Sequence, residues 1–192
     1  IHAKFDEQIN AFAVGDLKNE EQIQVVTATD YEILIHRFEG ARLLLDKKLA
    51  FSSNHRIIAL DIADINKNGY PEIFVTSLNI HRLGLNSFVL EYNGSTYTTL
   101  VEDVSHYFRV INGPDREKML LGQKFAVHPF KGKIYTMKAS GKGYVMDKNL
   151  RMPRSASVLS LTKGMVAVKD AAEYVLINEH GRLNVVTDMG KI

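Results

Sequence analysis

Apolar and polar residues alternate over short stretches along most of the chain, and helical spacing is almost absent. Short alternating runs bounded by Gly, Asn, Asp or Ser, and rich in β-branched or aromatic residues, are typical of β-strands. Strands are predicted at 22–29, 31–38, 57–62, 72–78, 87–92, 107–111, 133–138, 143–147, 158–161, 165–169, 174–178 and 183–187. The stretch 42–49 would also suit a helical turn, and we interpret it as a strand.

The strand pattern repeats along the chain. Residues 12–16 and 60–64 both form an apolar strand that ends in a small residue followed by Asp. In both places a second strand, a third strand ending at a glycine turn, and a fourth strand follow. The landmark residues are separated by 48, 48 and 50 positions, and they are Phe12, Leu60, Phe108 and Val158.

Four strands in each repeat of this length indicate the blades of a β-propeller. One blade cannot bury both of its faces, so neighbouring blades stack against each other. We therefore predict an all-β fold, with a single propeller domain or segment over residues 1–192. Its four-stranded blades cover approximately 10–56, 57–105, 106–152 and 153–192. The alternative is a β-sandwich of unrelated strands, which also has short strands and frequent turns.

The loop 64–72 carries the clearest chemistry in the sequence. Oxygen-bearing side chains stand at alternate positions, at Asp64, Asn66 and Asn68, and Glu72 closes the segment. Gly69 suits a sharp turn. Calcium takes six to eight oxygen ligands. These side chains would supply several of them, and the backbone carbonyl of Tyr70 would add one. An ordinary turn rich in Asn and Asp is the alternative, although such a turn does not require an acidic residue at each end.

This loop, with the strand residues 73–75 behind it, resembles the FG-GAP or VCBS-type repeat of integrin α-subunits and bacterial surface proteins. In that pattern Ala63 replaces the usual Gly, and Glu72 the usual Asp. The resemblance implies a propeller of seven or eight blades. It also implies one structural Ca²⁺ ion held by the metal ligands Asp64, Asn66, Asn68, Tyr70 (through its carbonyl) and Glu72.

The other repeats keep less of the pattern. Gly15 and Asp16 match its start, but Lys18 stands where an oxygen donor belongs and the turn glycine is missing. Asn112 in the third repeat and Thr162 in the fourth occupy the place of Asp64. We expect these loops to fold without an ion.

Composition excludes several classes of function. The formal net charge of +2 gives little attraction for nucleic acid, so none is expected as a partner. The absence of cysteine excludes disulfides and thiolate chemistry. No apolar run is long enough to span a membrane. The first residue is Ile1, so we expect the chain to begin downstream of a natural N-terminus.

No catalytic constellation stands out, so we predict that the chain is not an enzyme and has no catalytic or cofactor-binding residues. The seven histidines lack zinc spacing. Carboxylate pairs such as Glu102 with Asp103, and Asp115 with Glu117, are interpreted as solvated loop charge. One local positive cluster comprises Lys148, Arg151, Arg154 and Lys163. It is interpreted either as a solvated edge of a blade or as a surface that binds an acidic partner or a glycan.

We therefore expect a non-catalytic binding or assembly module of a bacterial exported or surface-associated protein, in the periplasm or at the cell surface. A protein or glycan ligand is expected at its loops. Four blades are fewer than the family uses, so a fragment with open blades and self-association is expected. The alternatives are a propeller domain of a carbohydrate-active enzyme and a purely structural spacer.

Overall fold

The computed structural model describes residues 5–113, 117–126, 132–141, 143–164, 166 and 173–187, and this part of the chain is all-β. Its strands form four antiparallel sheets. No α-helix occurs among the described residues, and none of their helical segments could cross a membrane. The predicted all-β class is confirmed, whereas the β-propeller stays a prediction.

The first sheet has four strands in the order β1-β2-β3-β4, so each strand pairs with its neighbours in sequence. Its bounds are β1 Ala11–Gly15, β2 Gln24–Ala28, β3 Glu32–Glu39 and β4 Arg42–Ala50. Gly40, with φ of +59°, makes the tight turn between β3 and β4. The ambiguous stretch 42–49 is therefore a strand, as predicted.

The second sheet follows the same path, in the order β5-β6-β8-β9, with the short strand β7 paired to β6. Its bounds are β5 His55–Ala63, β6 Glu72–Asn79, β7 Gly84–Leu85, β8 Ser87–Tyr92 and β9 Tyr97–Val104. β6 and β8 are the central strands and are almost wholly buried. Both faces of this sheet are therefore covered at its centre, which explains the continuous apolar runs in these two strands.

The third sheet has the order β10-β11-β12-β13 and the fourth has β14-β15-β16. The bounds are β10 His106–Asn112, β11 Lys118–Lys124, β12 Ile134–Ser140, β13 Gly143–Asn149, β14 Thr162–Gly164, β15 Glu173–Ile177 and β16 Leu183–Val186. Strand β11 was not among the predicted strands. Its glycine at 122 and its charged ends weaken the alternating pattern.

The predicted strand at 158–161 is wrong. Val158–Ser160 forms a 3-10 turn. The side chain of Gln123, which is fully buried, holds this segment: its Oε1 accepts the N–H of Val158 at 2.9 Å, and its Nε2 donates to the carbonyl of Ala156 at 3.0 Å. These bonds take the backbone groups that a strand ladder would use. The predicted strand 165–169 lies outside the described residues, apart from Val166.

The chain divides into two compact units, residues 1–104 and 105–192. The boundary falls one residue before the predicted end of the second repeat. In the first unit, strands β1 and β5 lie against each other, and the core between the first two sheets contains Leu17, Val26, Ile33, Ile35, Ile57, Leu60, Ile73, Val75, Phe88 and Leu90. Each such side chain contributes about 1.5–3 kcal/mol by leaving water. The single-domain prediction is left as a prediction.

Candidate functional site

The loop that the sequence singles out connects β5 to β6. It begins after Ala63, which pairs with Glu72 at the end of the two strands. Its backbone enters the left-handed region twice, at Lys67 with φ of +61° and at Gly69 with φ of +92°. Asp64 closes the turn: its Oδ1 accepts the N–H of Asn68 at 3.1 Å and its Oδ2 accepts the N–H of Gly69 at 2.9 Å. A carboxylate at the first position therefore organises the loop.

Glu72 holds the other side of the loop. Its side chain is fully buried, and Oε2 accepts the N–H of Ile65 at 2.8 Å while Oε1 accepts the N–H of Asn66 at 3.1 Å. Hydrogen bonds from N–H groups to a charged acceptor are stronger than neutral ones. Together, Asp64 and Glu72 bind four backbone N–H groups of one short segment.

The two asparagines lie between these carboxylates and a third one. The Oδ1 atoms of Asn66 and Asn68 accept the N–H groups of Asn68 and Tyr70, at 2.9 and 2.8 Å. Their Nδ2 atoms both donate to Oε2 of Glu91, at 2.7 and 2.9 Å. Tyr70 also packs edge-on against Tyr92, with ring centroids 6.2 Å apart. The structure thus places both predicted asparagines against Glu91, while Asp64 and Glu72 bind the backbone of the loop.

Glu91 is the residue that sequence reasoning missed. It lies in β8 and is only 9% exposed, and within the described part of the chain it pairs with no lysine, arginine or histidine. A charged residue inside the apolar strand Ser87–Tyr92 is the signal that could have indicated it. Buried carboxylates are rare unless they are hydrogen-bonded, paired or bound to a metal.

The donor set suits a hard cation in type, because it consists of carboxylate and amide oxygens. Asp64, Asn66 and Asn68 each use oxygen atoms for backbone hydrogen bonds, and an oxygen acceptor keeps a second lone pair. The asparagine nitrogens, however, face Glu91, so these amides would have to turn to present oxygen to an ion. Among the described residues, no group of three or more His, Asp or Glu side chains stands close enough to hold a metal by itself.

The first loop has the same geometry, displaced by 48 residues. Asp16 accepts the N–H groups of Glu20 and Glu21 at 3.1 and 2.8 Å, as Asp64 does for Asn68 and Gly69. Gln24, in the place of Glu72, accepts the N–H of Leu17 at 2.7 Å. Positive φ recurs at the matching positions, with +55° at Asn19 and +57° at Glu21. The two loops are therefore copies in structure, although the glycine has become a glutamate.

Lys18 occupies the position of Asn66 in the first loop. Its Nζ donates to Oδ2 of Asp46 at 2.9 Å and lies 5.6 Å from the ring centroid of Tyr92. The hydrogen bond that Lys18 donates to Asp46 raises the pKa of Lys18, with burial opposing it. Arg37 adds a second cation near Asp46, at 3.7 Å. The first loop therefore carries an ammonium group of its own, which is paired with Asp46.

The fourth sheet keeps one part of the loop. Gly164 pairs with Glu173, which is 3% exposed, and Oε2 of Glu173 accepts the N–H of Val166 at 3.3 Å. The donor lies seven residues before the acceptor in all three loops. The assignment of Thr162 to the place of Asp64 is wrong, because Thr162 pairs with Val175 inside β14, whereas Asp64 follows the last residue pair of β5 and β6.

The third sheet has a shorter connection. Asn112 is the last paired residue of β10, opposite Lys118, and its Oδ1 accepts a hydrogen bond from Lys118 Nζ at 2.9 Å. Asn112 is therefore a strand residue and does not correspond to Asp64, which follows the last pair of its sheet. Asp115, one of the carboxylates weighed in the sequence, lies outside the described residues.

The predicted positive cluster is divided between different places. Arg151 and Arg154 line a surface pocket of about 210 Å³ together with Lys133. Lys163 instead lies over the ring of Tyr174, with Nζ 4.8 Å from the centroid, and Lys148 is an exposed residue of β13. The pocket is a basic surface, and the four predicted residues do not form one cluster around it.

Comparison of the sequence with protein-family models gives no match, and comparison with curated proteins gives none either. The resemblance to the FG-GAP or VCBS-type repeat therefore stays a prediction based on residues 64–75.

Proposed function

We propose that the chain is a non-catalytic binding or assembly module of the β-propeller type, part of a bacterial exported or surface-associated protein, and that its loop 64–72 binds one structural calcium ion. The observation that carries the proposal is that Asp64 and Glu72 accept backbone N–H groups of one short loop, whose two asparagines donate to the buried carboxylate of Glu91. Four sheets that follow the chain in simple up-and-down order support the blade architecture.

Calcium would be held by side-chain oxygens of Asp64, Asn66, Asn68 and Glu72 and by the carbonyl of Tyr70, with Glu91 as an additional carboxylate nearby. A bound Ca²⁺ ion supplies positive charge to this acidic loop. A divalent cation would compensate the negative charge of the carboxylates that bound it. The ion would then stabilise the connection between β5 and β6.

The first loop supports the same interpretation, because it contains a cation of the protein itself. It keeps the shape of the second loop but places Lys18 where Asn66 stands, and Arg37 lies near the shared partner Asp46. A protein cation can perform the charge compensation that we assign to calcium in the second loop. Rigid loops of this kind at the ends of β-sheets are well suited to ligand or protein recognition.

The proposal is tested by thermal unfolding of the EDTA-treated protein with and without calcium, and with magnesium for comparison. A ligand specific to the native state stabilises it by about 2.7 kcal/mol at a hundredfold excess over Kd. For a chain of this size that raises the unfolding midpoint by roughly 5–10 °C. Magnesium should give a smaller rise because it demands octahedral geometry and retains its waters.

Asp64→Asn and Asp16→Asn form a matched pair, because each keeps a hydrogen-bonding oxygen and removes one charge from an equivalent loop position. Asp64→Asn should abolish the calcium-dependent rise, and Asp16→Asn should leave it intact. Glu91→Gln should weaken it. If the unfolding midpoint does not respond to calcium, or if the response survives Asp64→Asn, the calcium proposal is wrong and the loop is a turn that folds without an ion.

A further inference from the structure

The interface between the first two sheets shows which faces of neighbouring repeats fit together. The second sheet contributes one face, which we call its front face, and the side chains there are Leu60, Ile73, Val75, Phe88 and Leu90. The first sheet contributes the face that we call its back face, with Val26, Ala28, Ile33 and Ile35. All these side chains are buried. A front face packed on the back face of the preceding repeat is therefore the contact that these two repeats make.

The first sheet also has a front face, and part of that face is exposed. With the offset of 48 residues, Phe12 stands in the place of Leu60, and Val14 stands in the place of Ile62. Strand pairing adds to the same face Val25, Leu34, His36 and Leu45. Phe12 is 71% exposed and Val14 is 54% exposed, whereas Leu60 is 5% exposed. The first repeat therefore presents apolar side chains to solvent where the second repeat buries them.

The fourth sheet exposes the complementary face. Because Glu173 makes the hydrogen bond that Gln24 makes in the first sheet, the strand residues that follow the two acceptors correspond. In the places of Val26, Ala28, Ile33 and Ile35, its back face carries Val175, Ile177, Leu183 and Val185. Ile177 is 48% exposed and Leu183 is 69% exposed, whereas the corresponding side chains of the first sheet are fully buried. The fourth sheet therefore presents an apolar back face to solvent.

The front-to-back contact recurs in the second unit. Strand β14 lies against β10 of the third sheet, as β5 lies against β1. Tyr174 and Leu176 lie on the front face of the fourth sheet and are 4% and 0% exposed. The fourth sheet thus has a buried front and an exposed back, and the first sheet has a buried back and an exposed front.

Both halves of a front-to-back contact are therefore exposed on the same chain. Phe5 packs edge-on against His36 on the front face of the first sheet, with ring centroids 5.3 Å apart, and leaves Phe12 exposed. Contiguous apolar surface that stays exposed marks a site of interaction with another molecule. A second copy of the chain carries the back face that fits this surface.

We propose that copies of the chain associate head to tail, with the front face of the first sheet in one copy packed on the back face of the fourth sheet in another. The contact repeats between molecules the interface that the first two sheets make within one molecule. It is heterologous, because the two partners contribute different surfaces. The proposal gives the self-association that the sequence predicts a defined pair of surfaces. It rests on the repeat architecture of the proposed function and not on calcium binding.

The test is sedimentation velocity of the full chain over a wide range of concentrations, with calcium present and again with EDTA. We expect the weight-average mass to rise with concentration from that of one chain to at least that of two. Both conditions should give the same association, since neither face includes a residue of loop 64–72. A missing calcium response in the unfolding assay and a missing association are therefore separate results.

Two variants block one face each. Phe12→Glu places a charge on the front face and Leu183→Glu places one on the back face, so each should weaken association about tenfold or more. Both side chains are largely exposed, so the chain should fold with either change, which far-UV circular dichroism checks. Leu83→Glu is the control, because Leu83 is 87% exposed and lies between β6 and β7, outside both faces. It should leave association unchanged.

A mixture of the two blocking variants distinguishes front-to-back pairing from other contacts. Each contact needs one intact front face and one intact back face, so an equimolar mixture should associate at a concentration where neither variant does so alone. Association of Leu183→Glu as strong as that of the parent would mean that front faces pair with each other, and it overturns the proposal. So do a mixture that stays monomeric and an effect of Leu83→Glu as large as that of Phe12→Glu. A parent chain that is monomeric at every concentration also overturns it and leaves the front face to a different partner.

Discussion

Glu21 is the residue whose replacement tests the shared loop geometry most directly. It adopts φ of +57° at the position where the second loop has Gly69, with φ of +92°. A left-handed conformation costs an L-residue about 1–2 kcal/mol. Glycine avoids this cost but gives the unfolded chain more freedom, which offsets about 0.4–1 kcal/mol. Glu21→Gly should therefore stabilise the protein by about 0.5–1 kcal/mol.

Glu20 is the matched control. It is exposed like Glu21, its N–H also donates to Asp16, and its φ is not positive. Glu20→Gly gives the unfolded chain more freedom but relieves no left-handed conformation, so it should destabilise the folded protein by about 0.4–1 kcal/mol. The two glycine variants should thus differ by about 1–2 kcal/mol in free energy of unfolding, and in opposite directions from the parent.

The measurement is urea denaturation of the full chain followed by far-UV circular dichroism, because the chain has no tryptophan. Glu20→Gln and Glu21→Gln correct each comparison for the lost charge. If Glu21→Gly were no more stable than Glu21→Gln, the assigned backbone of the first loop would be wrong, and so would its equivalence to the second loop.

Two further predictions follow from packing and titration. A Cβ on Gly15 would lie 2.6 Å from Cγ2 of Ile62, so Gly15→Ala should lower the free energy of unfolding by about 1–3 kcal/mol in the same urea assay. Gly84→Ala is the control and should be close to neutral, because its Cβ would meet nothing nearer than 3.8 Å. Equal effects of the two variants would contradict the packing of β1 on β5. Burial lowers the pKa of His55 and, with the charge of Lys124, that of His106. The unfolded state therefore binds protons more readily, so the free energy of unfolding should fall as pH drops below about 6.5. The double variant His55→Gln/His106→Gln should flatten this dependence.

Local chemistry made much of the fold predictable. Alternation, β-branched residues and Gly or Asn turns predict most of the strands within a few residues of their observed bounds, and Ser87–Tyr92 at the same bounds. The 48-residue offset between the first two repeats is reproduced in three hydrogen bonds of their loops. The strand predicted at 158–161 failed because a distant buried amide, Gln123, takes the backbone groups of that segment.

The candidate sites were predictable only where their residues are neighbours in sequence. Asp64, Asn66, Asn68 and Glu72 form one visible pattern, whereas Glu91 joins them through strand pairing, which spacing alone does not reveal. The equivalence of Gln24 to Glu72 depends on a hydrogen bond to the N–H seven residues earlier. The bulge at Glu102 and Asp103 depends on the register of β8 and β9, which the spacing of residues does not reveal.

The side-chain acceptor that recurs at Gln24, Glu72 and Glu173 fixes the backbone of the loop without fixing which charges the loop carries. In each of these loops one oxygen of this side chain accepts the N–H seven residues earlier, whether the acceptor is an amide or a carboxyl group. The first loop shows that a repeat can carry a lysine at the third loop position and an amide at the acceptor position and still make the bond. This hydrogen bond therefore constrains the backbone of a repeat without constraining the charge of its loop.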